Sequence, residues 1–232
     1  WIGTDGGAVH FNGEKIDTVL TTADGLFTDK ILSVFVDEEK NAWFGSGEKD
    51  VNLFHPYQLI GNLKSGVTRY DDQNLTTFIA EDGPPSRPVL AIGETADGLM
   101  WFGSAGKGLV NFDDKSIVNY DTKDGLSGNY ITAINQSKDG SIWIGTWSNG
   151  ATIFDNGNFQ PLPSSAGRRV SNITNGADGS VWLTGNESYG LQRPLGAIQY
   201  RRSTRATWEV STSLDHNELG SSRVTDCYQG DS

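Results

Sequence analysis

The residues best suited to acid–base chemistry are His55, His216 and Glu187, which fall in three long connecting segments of the chain. A histidine beside a carboxylate can act as general acid and base, or bind a divalent metal. No short spacing holds the three together, and the chain lacks GxSxG, HExxH and glycine-rich phosphate motifs. We therefore expect no catalytic residue and no metal site, and keep these three as the candidates for an enzyme, a lyase or a glycoside hydrolase.

A second group of residues combines positive charge with a recurring position. Each member stands at or just before the start of an apolar segment: Lys30, Arg87, Tyr130, Arg169 and Arg223. If these segments are equivalent strands of repeated units, their first residues surround one point. Four cations converging in so acidic a protein favour an anionic or carboxylate-bearing ligand, such as an acidic sugar. The alternative is that each cation pairs with a nearby carboxylate, for example Arg169 with Asp124.

Aromatic residues in connecting segments suggest a surface for a sugar ring. Trp147 lies in the segment TWSNG beside Asn149, and Tyr189 lies in a longer segment further along. An exposed indole with a neighbouring amide is a good platform for stacking on a saccharide. We therefore predict an exposed Trp147 and assign ligand binding to these three residues and to the preceding group. The alternative is that Trp147 packs beneath the long segment 47–65.

The elements that must position these residues are copies of a tryptophan motif. WIGT at Trp1 recurs as WFGS at Trp43 and Trp101, WIGT at Trp143 and WLTG at Trp182. A glycine, two mostly apolar residues, a variable residue and an aromatic follow each copy, as in GATIF. An apolar segment and a hairpin signal precede the later copies, as in YITAINQSKDGSIW, where Asp-Gly suits a tight turn. Each unit predicts four antiparallel strands, A to D, over about 40 residues, the size of one propeller blade.

The combination of an apolar strand, DGSIWIGT, GATIF and YDTKDGLSGNYIT resembles the two-component regulator propeller repeat. This repeat is typical of the extracellular sensor part of bacterial sensor kinases. The resemblance covers essentially the whole chain and implies an all-β propeller of four-stranded antiparallel blades with a sensor function. Nothing in the chain resembles a histidine kinase, a receiver or a DNA-binding domain, so a signalling output domain would be a partner absent from this chain. The recurring ADGL, EDGP and KDGL segments are predicted to be structural turns.

The two ends of the chain predict how the blades close. RVTDCYQ, near the end, matches strand A, whereas the chain begins on strand B, so both termini would complete one blade and Trp1 would pack beside Val224 to Tyr228. This predicts a single five-bladed domain over 1–232; the alternative is part of a larger, for example seven-bladed, propeller. The blades are expected at 223–232 with 1–22, 30–80, 88–122, 130–163 and 169–212.

Three expanded connections are predicted to share one face of this fold. They are 47–65, 185–195 and 211–223. In a propeller the connections from strand B to strand C, and from strand D to the next strand A, emerge around the mouth of the central channel. Variation in loops is more often functional than variation in strands, so we predict a binding rim on this face. Neutral surface variation is the alternative.

Charge and composition exclude several classes of partner. The formal net charge of -11 repels a phosphate backbone, so nucleic acid is not expected as a partner. The sequence has no run of about 18 apolar residues, so we expect no direct membrane insertion, and we expect no cofactor. Together these features favour a non-catalytic sensor propeller, periplasmic or extracellular, that binds a small molecule or an oligosaccharide, neutral or anionic. An enzyme and a protein interaction scaffold on the same face remain the alternatives.

Overall fold

The computed structural model describes residues 1–47, 65–79, 87–113, 116–185, 196–203 and 207–214. The chain divides into two compact units, Trp1–Tyr120 and Asp121–Ser232. In the described part the regular elements are β-strands, apart from one 3-10 turn at Pro163–Ser165. Those strands form one three-stranded and four four-stranded antiparallel sheets. No helix in the same residues has the length and apolar character needed to cross a membrane.

The first unit contains three sheets, each a meander of consecutive strands. The first sheet consists of β1 (Ile2–Thr4), β2 (Gly7–Phe11) and β3 (Ile16–Leu20). The second consists of β4 (Ile31–Val36), β5 (Ala42–Gly47), β6 (Ser65–Tyr70) and β7 (Leu75–Ile79). The third consists of β8 (Val89–Glu94), β9 (Met100–Ser104), β10 (Leu109–Asp113) and β11 (Ser116–Tyr120).

The second unit contains two further meanders. The fourth sheet consists of β12 (Ile131–Gln136), β13 (Ile142–Thr146), β14 (Ala151–Asp155) and β15 (Asn158–Pro161). The fifth consists of β16 (Asn172–Asn175), β17 (Val181–Gly185), β18 (Gly196–Arg202) and β19 (Trp208–Leu214). The four-stranded antiparallel meander predicted from the repeat is thereby confirmed. The strand predicted at 223–229, its contact with Trp1 and the closure into a single domain lie outside the described residues and stay predictions.

The last residue of the tryptophan motif closes the hairpin between strands B and C. In four copies a Ser or Thr hydroxyl donates a hydrogen bond to the carbonyl of a glycine at or next to the start of strand C. These bonds are Thr4 to Gly7 at 2.8 Å, Ser46 to Gly66 at 2.9 Å, Ser104 to Gly108 at 3.0 Å and Thr146 to Gly150 at 2.7 Å. The fifth copy has Gly185 at this position and therefore cannot form the bond. In the first, third and fourth sheets this hydrogen bond spans the short connection between strands B and C.

The glycine of the motif lies against the beginning of the next sheet. A Cβ atom on it would come within 3 Å of a side chain there. The distances are 2.7 Å from Gly3 to Ile31 Cγ2, 2.9 Å from Gly45 to Val89 Cγ1 and 2.7 Å from Gly145 to Val170 Cγ1. Real Cβ atoms essentially never approach other atoms so closely, so a side chain at these positions would push neighbouring sheets apart.

Within each unit the core lies between neighbouring sheets. Trp43 of the second sheet packs against Phe102 and Phe112 of the third, with ring centroids 5.8 Å apart for Trp43 and Phe102. In the second unit the fully buried Trp143 packs against Tyr200 of the fifth sheet at 5.3 Å. Side chains alternate along a strand, so Trp43 faces the third sheet whereas the next residue, Phe44, packs against Trp1 beside the first sheet.

Replacement of Gly145 by alanine is expected to lower the free energy of unfolding by about 2 kcal/mol, because the new Cβ overlaps Val170. Gly6 is the matched control, since its φ is not positive and the nearest atom to a Cβ there is 3.9 Å away. Urea denaturation of Gly145→Ala and Gly6→Ala would measure both changes. Equal stability of the two variants would show that the close approach is not needed.

The indole nitrogens of the motif reveal a second, smaller regularity. Trp43 Nε1 donates to Asp37 at 2.7 Å, and Trp143 Nε1 donates to the Ser137 hydroxyl at 3.1 Å. Each acceptor stands six residues before its tryptophan. In the fifth sheet that position is Gly176, and the buried Nε1 of Trp182 has no hydrogen-bond partner among the described residues.

The Gly176→Ser variant is expected to raise the free energy of unfolding by about 1 kcal/mol, because it supplies the missing acceptor for Trp182. The opposite change, Ser137→Ala, is expected to lower the free energy of unfolding by about 1 to 2 kcal/mol, because it removes the acceptor of the Trp143 nitrogen. Chemical denaturation would compare the two. A destabilised Gly176→Ser protein would mean that the fifth sheet has no room for the acceptor.

Candidate functional site

Backbone hydrogen bonds bring three connections of the second unit together. The Trp147 amide, just after β13, donates to the Tyr130 carbonyl just before β12 at 2.9 Å. The Val170 amide, just before β16, donates to the Thr146 carbonyl at the same distance. Three residues predicted to bind ligand, Tyr130, Trp147 and Arg169, are thereby placed side by side.

The side chains of these residues form one stack. The guanidinium carbon of Arg169 lies 3.7 Å from the ring centroid of Trp147, and the Tyr130 ring is tilted against the same indole with centroids 5.4 Å apart. A guanidinium over an indole face is attracted by the negative face of the π system. We call Tyr130, Trp147 and Arg169 the arginine cluster.

The expectation that Trp147 exposes its indole is wrong. The side chain is only 6% exposed, because Arg169 covers one region of it and Tyr130 packs beside it. The indole therefore supports the guanidinium and cannot serve as an open platform for a sugar ring. Asn149, on the same connection, is exposed, and its side-chain oxygen accepts a hydrogen bond from Ser148 at 2.8 Å.

Two buried donors of the arginine cluster have no partner in the described part of the chain. They are the Tyr130 hydroxyl and the Nε atom of Arg169. The ion pair between Arg169 and Asp124 does not form: the Asp124 carboxylate instead accepts the Asp121 amide at 2.8 Å within its own turn. Unpaired buried polar groups are rare and destabilising, so both donors call for an explanation.

The protonation states of the arginine cluster suit an anion. Burial raises the pKa of Tyr130 to about 12, although the nearby Arg169 charge opposes the rise. The phenol therefore keeps its proton at neutral pH and can donate a hydrogen bond. Burial lowers the pKa of Arg169, but a guanidinium starts so high that it stays charged. The cluster thus combines one positive charge with a neutral hydroxyl donor.

The remaining predicted site residues are not in the arginine cluster. Lys30 and Arg87 are half-buried in the first unit, just before β4 and β8. Tyr189 and Arg223, and the catalytic candidates His55, His216 and Glu187, lie outside the described residues. Ligand binding by these residues stays a prediction.

One positioning residue carries little signal in the sequence. The hydroxyl of Thr132, in β12, donates to the Val170 carbonyl at 2.5 Å and so holds the backbone next to Arg169. A single threonine within an apolar strand is too common to suggest this role. Its partner lies 38 positions away, just before the first strand of the next sheet.

Three acidic turns that precede strand A are predicted to be structural, and the prediction is confirmed for the two that lie in the described residues. Asp24 and Asp124 each accept the backbone amide three residues earlier, at 2.9 and 2.8 Å, and the buried Leu26 and Leu126 follow. The EDGP segment lies outside the described residues. These carboxylates are occupied by their own turns, so we do not include them in the candidate site.

The Tyr130→Phe variant is expected to leave the free energy of unfolding unchanged or to raise it by about 1 kcal/mol, because it removes a buried hydroxyl that has no partner in the described part of the chain. Tyr200→Phe is the matched control. The Tyr200 hydroxyl is hydrogen-bonded to Ser164, so its loss should lower stability by about 1 kcal/mol. Thermal and urea denaturation would separate the two, and equal losses would mean that Tyr130 has an essential structural partner.

Comparison with known proteins relates the sheets to a repeat family. The family model Two component regulator propeller matches residues 125–148, a segment that includes Tyr130 and Trp147. No curated protein matches the chain.

Solved structures share the fold at low sequence identity. The extracellular domain of a protein described as a one component system of B. thetaiotaomicron has 20% identity and a TM-score of 0.62, covering 93% of this chain and 26% of that one. The extracellular domain of a hybrid two component system of the same organism has 20% identity and a TM-score of 0.55, with coverages of 94% and 33%. A catalytically inactive virginiamycin B lyase from Staphylococcus aureus, with quinupristin, has 17% identity and a TM-score of 0.57, with coverages of 87% and 61%.

The chain spans 26% and 33% of the lengths of the two bacterial extracellular chains. At these identities the similarity shows the fold and not the ligand or the activity. The five antiparallel sheets are consistent with five blades. The chain therefore has the all-β propeller fold and carries the two-component regulator propeller repeat, matched at residues 125–148.

Proposed function

We propose that this chain is the ligand-binding part of a periplasmic or extracellular sensor module. It binds a small molecule or an oligosaccharide, neutral or anionic, on the face where the connections of the second unit converge. The observation that carries the proposal is the arginine cluster, in which two residues packed on one indole each have a buried donor without a partner among the described residues. Binding would satisfy donors that the described part of the chain leaves unpaired.

The comparisons support a sensor role in two ways. The matched repeat is named for two-component regulators, and its matched segment includes Tyr130 and Trp147. Two proteins with a similar fold are extracellular domains of one- and two-component systems. A sensor of this kind needs an output domain, which we propose as a partner outside this chain.

The chemistry of the arginine cluster favours binding over catalysis. A general base needs a pKa near the working pH, whereas the pKa of Tyr130 is raised to about 12 and the Arg169 guanidinium stays charged. The lyase with a similar fold shows that a propeller can support an enzyme, but at 17% identity it says nothing about this site. Any acid–base group would have to come from beyond the described residues.

The proposal can be tested by thermal denaturation with a panel of neutral and acidic oligosaccharides. A ligand that binds the folded chain raises the melting temperature, and at a hundred times its Kd it contributes about 2.7 kcal/mol. We expect at least one compound to shift the wild-type protein and Arg169→Met to lose most of that shift.

Arg201→Met provides the matched control, because Arg201 is an exposed arginine of the same unit, paired with Asp178 at 2.9 Å. Its ligand-induced shift should equal that of the wild type. Shifts that are identical in Arg169→Met and wild type would contradict the assignment of this face, and a panel without any shift would contradict the binding function.

A further inference from the structure

The arginine cluster has two buried donors, unpaired among the described residues, on residues that pack on the same indole. The Arg169 Nε and the Tyr130 hydroxyl are both donors, both buried and both unpaired in the described part of the chain. Because they are already removed from water, a ligand that pairs with them does not add to their desolvation. Both atoms are covered by protein, so an acceptor reaches them only when a covering side chain moves aside; it then gains two hydrogen bonds, one of them assisted by charge.

The shape of the site limits how the anion can approach. The Arg169 guanidinium is stacked on Trp147 at 3.7 Å, so the indole covers one of its two faces. Hydrogen bonds to a guanidinium form in its plane, from the Nε and Nη edge. A planar acceptor with two oxygens fits that edge in a fork geometry, and the Tyr130 hydroxyl can supply a further donor.

The charge of the site fits a monoanion. Burial raises the pKa of the Tyr200 phenol, and the charge of Arg168 partly opposes that rise, so Arg168 lies near Tyr200; Arg169 is the cation stacked on Trp147. The two nearby aspartates are engaged within their turn: Asp121 accepts the Lys123 amide at 2.6 Å and Asp124 accepts the Asp121 amide. One positive charge balances a carboxylate, whereas a phosphate group carries close to two negative charges at pH 7.

The site is also held in place before any ligand arrives. Stacking on Trp147 fixes the guanidinium, and the Val170 amide and carbonyl are bonded to Thr146 and Thr132 on the preceding sheet. An arginine that is already ordered loses less side-chain entropy on binding than a mobile surface arginine. The fixed geometry therefore favours selectivity for the shape of the bound group.

We propose that Arg169 and Tyr130 bind a single carboxylate group of the ligand, with Trp147 as the support of the guanidinium. This inference rests on the proposed function, because it names the chemical class of ligand for the same site. A uronic acid, which differs from the parent sugar by a carboxylate in place of a primary alcohol, is the simplest saccharide of this class.

The test compares three probes by isothermal titration at constant ionic strength: sodium glucuronate, glucose and inorganic phosphate. We expect glucuronate to bind at least tenfold more tightly than either of the others. Tyr130→Phe should weaken glucuronate binding about three- to tenfold, the range for one hydrogen bond. Arg169→Lys keeps the charge but loses the planar fork, and it should weaken binding about tenfold or more.

Arg201→Lys is the matched control and should bind glucuronate as the wild type does. Tyr130→Phe also separates binding from folding, because its stability is expected to equal or exceed that of the wild type. If both site variants bind glucuronate as the wild type does, or if phosphate binds as well as glucuronate, the carboxylate inference is overturned. Equal binding of glucose and glucuronate would overturn the carboxylate inference while leaving the sensor proposal intact. If no probe binds the wild type, the result would count against both the carboxylate inference and the proposed binding face.

Discussion

The close approach between the motif glycine of one sheet and the start of the next sheet is the constraint on which the rest depends. At Gly145 even one methyl group would overlap Val170. Because the backbones come so near, the Val170 amide can reach the Thr146 carbonyl, and the preceding residue, Arg169, comes to lie over Trp147. The absence of a side chain at Gly145 therefore allows the sheets to approach so that Arg169 lies over Trp147. Sheet packing and the candidate site are two consequences of one contact.

The repeat supplies the geometry of this contact several times, but the local residues differ. In the third sheet the Ala105 amide donates to the Pro88 carbonyl at 2.9 Å, the same bond that joins Trp147 to Tyr130 in the fourth. Neither alanine nor proline can stack a guanidinium or donate a side-chain hydrogen bond. The same backbone hydrogen bond thus occurs in both sheets. In the fourth sheet the residues that form it, Tyr130 and Trp147, are aromatic and belong to the candidate site. This is the pattern expected when function is placed on a repeated scaffold.

The sequence predicts the sheets well because their signals are local. The Trp-x-Gly motif, the Asp-Gly turns and the alternation of apolar residues together place the fourth sheet at 130–163, and its strands span 131–161. The convergence of Tyr130 and Arg169 also follows, since both precede strand A. The burial of Trp147 does not follow, because it depends on contacts with Tyr130, across the same sheet, and with Arg169, which lies just before the next sheet. That the described residues offer these two donors no acceptor is likewise a property of three-dimensional packing.

An unpaired buried donor is not by itself a sign of function, and the fifth sheet illustrates why. The Trp182 nitrogen has no acceptor among the described residues, and Gly176 stands where two other copies have Asp37 and Ser137, so the loss of one repeat side chain accounts for it. No such loss explains the arginine cluster, where a phenylalanine at 130 would pack as well as tyrosine without burying a hydroxyl. Two donors of different residue types, from different sheets, meet beside one indole, and one of them carries a charge that burial disfavours. Stacking on Trp147 stabilises the guanidinium but leaves both donors without an acceptor among the described residues, whereas an anionic group bound between them would satisfy both.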